Sequence, residues 1–360
     1  MATASTLDMG KVQGFAVKLL GDITALQMGP LMILGHRLGL FGVLAGGDSL
    51  SAADFAGRSG ILERYAREWL SAMACHRVVD YDATSDTFRL PAEHAFCLAD
   101  PDSPFFLASV FQMARPYLAH VDQLTDVFRD GGGIPQDAYG AEFWAGFEGF
   151  TRAPFVNNLC QDWLPALPDA DRALRGGGSV ADVGCGNGQA LIQLARGYPE
   201  VRCVGLDNYQ PAIDTATANA RAAGVGDRVR FEVCDVTRGL PGTYDLVTTF
   251  DVVHDMPHPL EALHAIRTAL KPDGTYFVLE FNFFGDLQEN IDHPMGIGAF
   301  GYSASVNYCM TQALAAGGVG TGTCMGEPKM RELARQAGFT RVRRLDFPNN
   351  PFNLFYELRA

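Results

Sequence analysis

Residues 180–188 read VADVGCGNG, a buried strand that runs directly into a glycine turn. Asp182 lies two positions before the first glycine, and a second acid, Asp207, ends the next strand-like run. A dinucleotide needs the spacing G-x-G-x-x-G, which lets its pyrophosphate lie on backbone N–H groups at a helix N-terminus. The spacing here is G-x-G-x-G, and the upstream carboxylate would repel a pyrophosphate. The stretch therefore disfavours a nicotinamide-dependent dehydrogenase and favours a ligand that carries positive charge.

Strand-like and helix-like runs alternate from Ser179 onward. The predicted strands cover 180–183, 201–206, 229–233, 245–249 and 275–281, the predicted helices cover 188–197, 211–224, 259–270 and 331–338, and a closing antiparallel hairpin covers 341–345 and 352–358. This alternation predicts an α/β fold with a Rossmann-like, doubly wound sheet of seven strands. Ligands of such sheets bind at the carboxyl ends of the strands.

S-adenosylmethionine (SAM) carries an ammonium group and a sulfonium, which suit the carboxylates around this turn. Asp207 ends the second predicted strand, where an acid can bind the ribose hydroxyls of the cofactor. It could also cap the helix that follows. Asp235 follows the third strand, near an adenine edge, with a solvated turn as its alternative interpretation. The residues predicted to bind the cofactor are Asp182, Gly184, Cys185, Gly186, Asn187, Gly188, Asp207, Asn208, Cys234, Asp235, Val236, Phe250 and Asp251.

His254 lies just beyond the fourth strand, where a substrate would meet the cofactor. An imidazole suits deprotonation of a hydroxyl near neutral pH. Asp255 is its neighbour in sequence, and Glu280 ends the fifth strand, where it could orient the imidazole. The predicted catalytic residues are therefore His254, Asp255 and Glu280, against the alternative that a lone histidine is structural.

The N-terminal region has a winged-helix outline. Ser51 is a predicted N-cap, a helix over 63–75 places Tyr65, Leu70 and Met73 on its apolar side, and a polar hairpin turn follows. Residues 1–150 hold ten Lys and Arg but eighteen Asp and Glu, and the whole chain has a net charge of −13. Nucleic-acid binding depends on basic residues, so we predict a scaffold and not a DNA reader.

Residues 11–46 predict two apolar helices separated at Gly29-Pro30. They are either core or the interface of a homodimer. Lys18, Asp22, Pro30, His36 and Arg37 interrupt the apolar stretch too often for a membrane span.

The sequence pattern in the middle of the chain predicts further helices. We predict three domains, which cover residues 1–100, 101–176 and 177–360. The 282–324 segment is long for a connection, which is typical of a segment with a function, here a helix and loop over a substrate pocket. The aromatic cluster near residue 145 is either core or a pocket wall. The substrate-contact candidates are Phe143, Trp144, Phe147, His293, Tyr302 and Tyr308.

Eight cysteines occur without a C-x-x-C pair, so we predict no zinc site and no other metal site. Buried free thiols and an N-terminus without a signal peptide predict a cytoplasmic protein.

The run 180–188, Asp207, the His254-Asp255 pair and the LKPDG run at 270–274 resemble class I SAM-dependent methyltransferases. With the winged-helix outline, the chain resembles the bacterial winged-helix methyltransferases and, more distantly, the dimeric small-molecule O-methyltransferases. The resemblance implies that His254 is the base, that Glu280 assists it, and that Glu327 is a second assisting glutamate. The chain departs from the plant pattern at Met256, where that pattern has tryptophan.

The resemblance implies methylation of a small molecule, with oxygen as the acceptor atom. Methylation of a thiol, thioether or amine with the same SAM site remains an alternative. A winged-helix DNA-binding regulator that senses SAM is an alternative of another class.

Overall fold

The computed structural model describes residues 7–360 and divides the chain into two compact units. One unit consists of the chain up to Arg115 together with Glu142–Ala153, and the other of Pro116–Ala141 together with Pro154–Ala360. This division differs from the predicted boundaries at residues 100 and 176, because the 116–141 and 154–176 segments belong to the unit that holds the large sheet.

The first half of the chain is mostly helical. Its elements are α1 (Met9–Arg37), α2 (Leu40–Leu44), α3 (Ala52–Ser59), α4 (Glu63–Cys75), β1 (Asp80–Asp82), β2 (Thr87–Arg89), α5 (Ala92–Leu98), α6 (Ala114–Ala119), α7 (Val121–Asp130) and α8 (Gly140–Pro154), with 3₁₀ turns at Ala108–Met113 and Gln136–Tyr139.

Helix α1 corrects the prediction of two helices separated at Gly29-Pro30. The helix passes through Pro30, and the chain turns only at Gly39, whose φ is +66°. A proline inside a helix removes one hydrogen-bond donor, but its fixed φ is close to the helical value, so the helix can continue. Gly39 adopts the left-handed conformation that glycine tolerates best, and this residue ends the run.

The winged-helix outline is observed. The Ser51 hydroxyl accepts the Asp54 N–H (3.1 Å), and α4 has the predicted bounds. Its buried side is formed by Ala66, Trp69, Leu70 and Met73. Tyr65 was wrongly placed on this side and is 72% exposed, because it lies off the stripe that these residues make.

The second unit contains a sheet of seven strands. They are β3 (Ser179–Val183), β4 (Arg202–Asp207), β5 (Val229–Val233), β6 (Tyr244–Phe250), β7 (Leu270–Phe281), β8 (Arg341–Leu345) and β9 (Asn353–Arg359). Their spatial order is β5-β4-β3-β6-β7-β9-β8. Neighbours from β5 to β7 are parallel, whereas β9 is antiparallel to both β7 and β8. The predicted doubly wound sheet is confirmed.

Both faces of this sheet are covered. Val180 and Leu246 belong to one buried cluster, and their chain neighbours Ala181 and Val247 belong to the other. Side chains alternate between the faces of a strand, so this division is the signature of two apolar layers. The covering helices are α9 (Pro168–Arg175), α10 (Gln189–Gly197), α11 (Gln210–Ala222), α12 (Pro259–Ala269) and α16 (Gly326–Gln336), with a π-helical segment at Phe155–Trp163.

The 282–324 segment is mainly helical. It forms α13 (Leu287–Ile291), α14 (Gly298–Ala304), a π-helical turn (Ser305–Cys309) and α15 (Met310–Ala315). Two backbone bonds attach it to the chain after β6: the Gly322 N–H donates to the His254 carbonyl and the Val319 N–H to the Pro257 carbonyl, both at 2.9 Å. The segment therefore lies against the turn that carries His254.

Candidate active site

Three glycines shape the turn between β3 and α10. Gly184, Gly186 and Gly188 all have positive φ values, of 70°, 49° and 79°. A Cβ on Gly184 would lie 2.5 Å from Val252, and one on Gly188 would lie 2.6 Å from Phe231. A Cβ on Gly186 would meet nothing within 4 Å. The outer glycines thus allow close packing, while the middle glycine borders open space.

Asp207 holds this turn in place. Its carboxylate accepts the Gly186 N–H (3.0 Å) and the Tyr209 N–H (3.0 Å). Burial raises the pKa of Asp207, and these backbone donors oppose that rise. The bond to the Tyr209 N–H lies just before α11. It fits the alternative interpretation of Asp207 as a residue that caps this helix. A further interaction ties Asn187 to α11, since its carbonyl accepts from the Asn219 amide (3.1 Å).

Asp182 is buried beneath the turn. The Thr248 hydroxyl of β6 donates to its carboxylate at 2.6 Å. Burial raises the pKa of Asp182 to about 7, with Thr248 lowering it and Asp207 raising it further. A nearby positive charge would favour the ionised form of this buried carboxylate, so the site suits a cationic ligand.

Asp235 is exposed and satisfies its own turn. Its carboxylate accepts the Thr237 N–H (3.2 Å) and hydroxyl (2.6 Å), and it pairs with Arg238 (3.1 Å). These contacts match the solvated-turn alternative. Contact with the cofactor stays a prediction for Asp235 and its neighbours Cys234 and Val236, and equally for Cys185 and Asn208.

The residue that follows β6, Asp251, has a strained backbone conformation. Asp251 has φ +56°, which is uncommon for a residue with a side chain. Its N–H donates to the Leu279 carbonyl (2.8 Å), and its carboxylate accepts from the Asn353 amide (3.0 Å). Phe250 packs on Phe155 with ring centroids 5.1 Å apart. These contacts hold the bend that brings the next residues back over β7.

His254 and Glu280 form a buried pair beyond this bend. His254 Nδ1 lies 2.6 Å from a Glu280 carboxylate oxygen, and the other oxygen accepts the Val253 N–H (2.7 Å). Both side chains are at most 4% exposed. Burial lowers the pKa of His254, but Glu280 and Cys309 outweigh it, so the pKa lies well above its ordinary value.

Asp255, the sequence neighbour of His254, makes a different contact from Glu280. The pair of His254 is Glu280, while the Asp255 backbone carbonyl accepts a bond from the Gln312 amide. Burial raises the pKa of the Asp255 carboxyl to about 7, and His254 lowers it. Asp255 therefore contributes charge near His254, and its catalytic role stays a prediction.

The substrate-contact candidates have separate environments. Phe143, Trp144 and Phe147 belong to the N-terminal unit, where Phe143 is fully buried. His293 has both ring nitrogens engaged, with the Asn282 carbonyl (2.8 Å) and the Met295 N–H (3.2 Å), as a structural histidine would.

Two tyrosines complete this set of candidates. Tyr302 is partly exposed, and the Asn290 amide donates to its hydroxyl at 3.4 Å. Tyr308 is buried edge-on against Tyr139, with centroids 5.0 Å apart. Substrate contact stays a prediction for all six candidates.

Glu327 does not resemble a second partner of the histidine. Its carboxylate pairs with Arg331 (2.6 Å) and Arg344 (2.8 Å), which lower its pKa against the effect of burial. A further influence on the imidazole comes from Cys309, which together with Glu280 raises the pKa of His254. No pattern around Cys309 in the sequence pointed to this, because the π-helical turn that places it follows β7 by more than twenty residues.

The electrostatics of the site suit a cation. Asp182, Asp207, Asp251 and Asp255 have no lysine or arginine within ion-pair distance anywhere in residues 7–360. Uncompensated buried carboxylates are costly, and a ligand with positive charge relieves that cost. SAM brings both a sulfonium and an ammonium group, and Gly186, whose N–H donates to Asp207, borders open space, so the residues present fit it. Within the same range, no group of three or more His, Cys, Asp or Glu side chains could hold a metal ion.

The sheet order and the acid-flanked glycine turn define a class of protein, the class I SAM-binding enzymes. Residues 174–308 match the family model of a methyltransferase domain, and residues 27–100 match that of an Rv2258c-like winged HTH domain. The chain therefore carries a winged-helix domain ahead of a methyltransferase domain.

Individual relatives agree with this assignment. Mitomycin biosynthesis 6-O-methyltransferase of Streptomyces lavendulae is 27% identical over 237 residues, which cover 64% of this chain and 67% of the relative. Other curated relatives are matched over about a quarter to two thirds of their own length.

Solved structures show the same fold. An O-methyltransferase family protein from Burkholderia thailandensis superposes with a TM-score of 0.68 at 18% identity, covering 96% of this chain and 98% of the other. Human N-acetylserotonin methyltransferase, solved with SAM, has a TM-score of 0.63 at 18% identity, covering 100% and 99%.

Proposed function

We propose that this methyltransferase transfers the methyl group of SAM to a hydroxyl group of a small molecule, with His254 as general base. The observation that carries the proposal is the buried His254–Glu280 pair at the end of β6. The names of the relatives support the acceptor type, since the mitomycin and O-demethylpuromycin enzymes are both O-methyltransferases.

The chain supplies alignment and a proton acceptor. Nδ1 of His254 faces Glu280, which leaves Nε2 to take the proton of the acceptor. The Val253 N–H holds the second oxygen of Glu280, so the carboxylate cannot rotate away from the imidazole. Bound SAM provides the electrophilic methyl group on a sulfonium centre. Asp182, Asp207 and the Gly184–Gly188 turn are the residues proposed to hold it, and holding both reactants in line accounts for much of the rate.

A panel of small hydroxylated acceptors tests this function. Purified enzyme and SAM are incubated with phenols, catechols and hydroxyquinones, and S-adenosylhomocysteine formation and product mass are measured. Products heavier by one methyl group on oxygen would support the proposal. Methylation confined to thioethers, thiols or amines would instead support the alternative acceptors, of which a thioether needs no base.

The pH dependence of turnover follows from the raised pKa of His254. Below that pKa the imidazole is protonated and cannot accept a proton, so kcat/KM is expected to rise about tenfold per pH unit from neutral pH until the imidazole is neutral. Glu280→Gln removes the carboxylate that raises the pKa of His254. The kcat/KM profile of this variant is therefore expected to level off at a lower pH than that of wild type. Profiles of the two proteins between pH 6 and 10 measure this, and coincident bends would contradict it.

We infer that the enzyme is a homodimer held by α1. Every residue from 9 to 27 in this helix is exposed, and they include Phe15, Leu20, Ile23 and Leu26. Monomeric soluble proteins rarely expose a contiguous apolar surface of this extent, so these side chains need a covering partner. This helix is also long and apolar enough to cross a membrane by length and composition alone. A second copy of the chain, burying the same surface, is the occupant we propose.

Charge on this surface is expected to separate the dimer. Leu20→Asp with Ile23→Asp places two carboxylates where the apolar faces would meet, and light scattering is expected to show the monomer mass. Gln13→Glu, on the exposed part of the same helix, adds a charge without removing apolar surface and should leave the dimer intact. A monomeric wild type at micromolar concentration would contradict the inference, and binding to lipid vesicles would favour a membrane instead.

The cysteines support a cytoplasmic location, which we also propose. All eight are free thiols in the structure, and Cys185, Cys203 and Cys309 are buried. Free thiols persist in reducing compartments.

A further inference from the structure

We propose that Asn353 is a positioning residue for the His254–Glu280 pair, and that it acts by holding Asp251 in its bend. The side-chain amide of Asn353 donates to both oxygens of the Asp251 carboxylate, at 3.0 Å and 3.3 Å. Asn353 begins β9 and follows Asp251 by 102 positions. No pattern in the sequence connects it with the histidine, so its role depends on the fold.

The bond between Asp251 and Asn353 crosses the carboxyl end of β7. In the sheet, β7 lies between β6 and β9. Asp251 follows β6, its N–H donates to the Leu279 carbonyl of β7 (2.8 Å), and its side chain reaches β9. The antiparallel register places Phe281, the neighbour of Glu280, opposite Asn353. Asp251 therefore ties three strands together beside Glu280.

The conformation of Asp251 explains why these contacts matter. Its φ of +56° lies in the left-handed region, which a residue with a side chain occupies at an energetic cost. Such a conformation persists when the surrounding structure holds it. The Leu279 carbonyl restrains the backbone of Asp251, and the Asn353 amide restrains its side chain. Without the amide, the backbone bond is the one of these two restraints that remains.

The bend at Asp251 determines where the next residues lie. Two positions further on, the Val253 N–H donates to one oxygen of Glu280 (2.7 Å). At the next position, His254 Nδ1 lies 2.6 Å from the other oxygen. A change of φ at Asp251 would rotate both groups away from Glu280, because they follow directly in the chain. Asn353 thus acts on the imidazole through hydrogen bonds that other residues make.

The charges of the site support the same direction of effect. Burial raises the pKa of Asp251 well above its ordinary value and Glu280 raises it further, whereas His254 and the Asn353 amide lower it. The amide therefore favours the ionised form of Asp251, and a negative charge near His254 favours the protonated imidazole. Loss of the amide and loosening of the bend are both expected to lower the pKa of His254.

Asn353→Leu tests this role, since leucine has nearly the shape of asparagine but cannot donate a hydrogen bond. The full-length protein is labelled with ¹⁵N-histidine, and the pKa of His254 is read from the pH dependence of its ring-nitrogen signals. The absence of these signals in His254→Asn assigns them. In Asn353→Leu, the pKa of His254 is expected to fall by about one pH unit, toward its value in Glu280→Gln. This measurement needs no methyl acceptor.

Turnover gives a second readout, which rests on the proposed function. With a hydroxyl acceptor, kcat of Asn353→Leu is expected to fall about tenfold, while the KM for SAM stays within about threefold of wild type. The kcat/KM profile should level off at a lower pH than that of wild type, as the changed pKa of His254 requires.

Asn282→Leu is the matched control. The Asn282 side-chain amide donates to the Pro351 carbonyl (2.8 Å), so it also joins the end of β7 to the segment just before β9. This bond does not involve Asp251. The pKa of His254 is therefore expected to keep its wild-type value in Asn282→Leu.

Three outcomes would overturn the proposal. They are an unchanged pKa of His254 in a folded Asn353→Leu, an equal fall in Asn282→Leu, or a loss of SAM affinity without a change in this pKa, which would place Asn353 with the cofactor. Circular dichroism shows whether each variant is folded, and Asn353→Ala serves as a second substitution if Asn353→Leu is not. The expected pKa change in an enzyme that methylates no hydroxyl acceptor would count against the proposed function alone.

Discussion

Methyl transfer by His254→Asn is expected to fall by about 10²–10⁴-fold, the usual contribution of a general base. The substitution keeps a polar side chain of similar size but removes the group that accepts the proton. SAM affinity should stay within about threefold of wild type, because the fall lies in the chemical step and not in cofactor binding. Turnover with a hydroxyl acceptor and calorimetric titration with SAM measure the two quantities separately.

His258→Asn is the matched control for this variant. His258 is exposed and lies four residues further along the chain, beyond the 3₁₀ turn at Val253–Asp255. Its replacement should leave turnover unchanged. If His254→Asn retained full activity toward a hydroxyl acceptor, His254 would be a structural histidine and the acceptor proton would leave by another route.

SAM binding by Asp207→Ala is expected to weaken by more than about 100-fold. The substitution removes the acceptor for the Gly186 and Tyr209 N–H groups and the carboxylate proposed to bind the ribose. Hydrogen bonds to a charged group contribute about 1.5–3 kcal/mol each, and two or more are lost here. Calorimetric titration with SAM and with S-adenosylhomocysteine gives the change in both affinities.

Asp214→Ala provides the comparison on the helix that follows. Asp214 is exposed on α11 and bonds only to Gln210 (2.7 Å) among the hydrogen bonds found for it, so its loss should not change either affinity. Thermal melts of both variants show whether the turn still folds. Unchanged SAM binding by a folded Asp207→Ala would remove Asp207 from the cofactor site and would leave it as a helix-entry residue.

Much of the sheet could be predicted because its signals are local. Each strand is a short apolar run, and each crossing helix begins and ends at residues with recognisable preferences, so β5 and α4 were predicted with their observed bounds. The glycine turn was predictable for the same reason, since its spacing and its two acids lie within thirty residues. The error at Pro30 shows the limit of such signals, because a proline lowers the stability of a helix without necessarily ending it.

The catalytic pair was only half determined by local pattern. His254 was recognised from its place after a strand, and Glu280 was named as the acid that could orient it, but the sequence did not show whether Asp255 also contacts the imidazole. The parallel pairing of β6 with β7 and the bend at Asp251 decide the partner, because they bring position 254 over the end of β7. The influence of Cys309 on the pKa of His254 was not predicted, since nothing in the sequence between β7 and α16 indicates it.

The sequence by itself determined the class of fold, the cofactor and the location of the glycine turn, because periodicity, spacing and charge are properties of neighbouring residues. The tertiary structure decided which residues surround the imidazole, which acids lack a cationic partner, and how much of α1 is exposed. These facts depend on contacts between segments that are far apart in the chain, and the free energy of such contacts comes from burial and packing that no local pattern records.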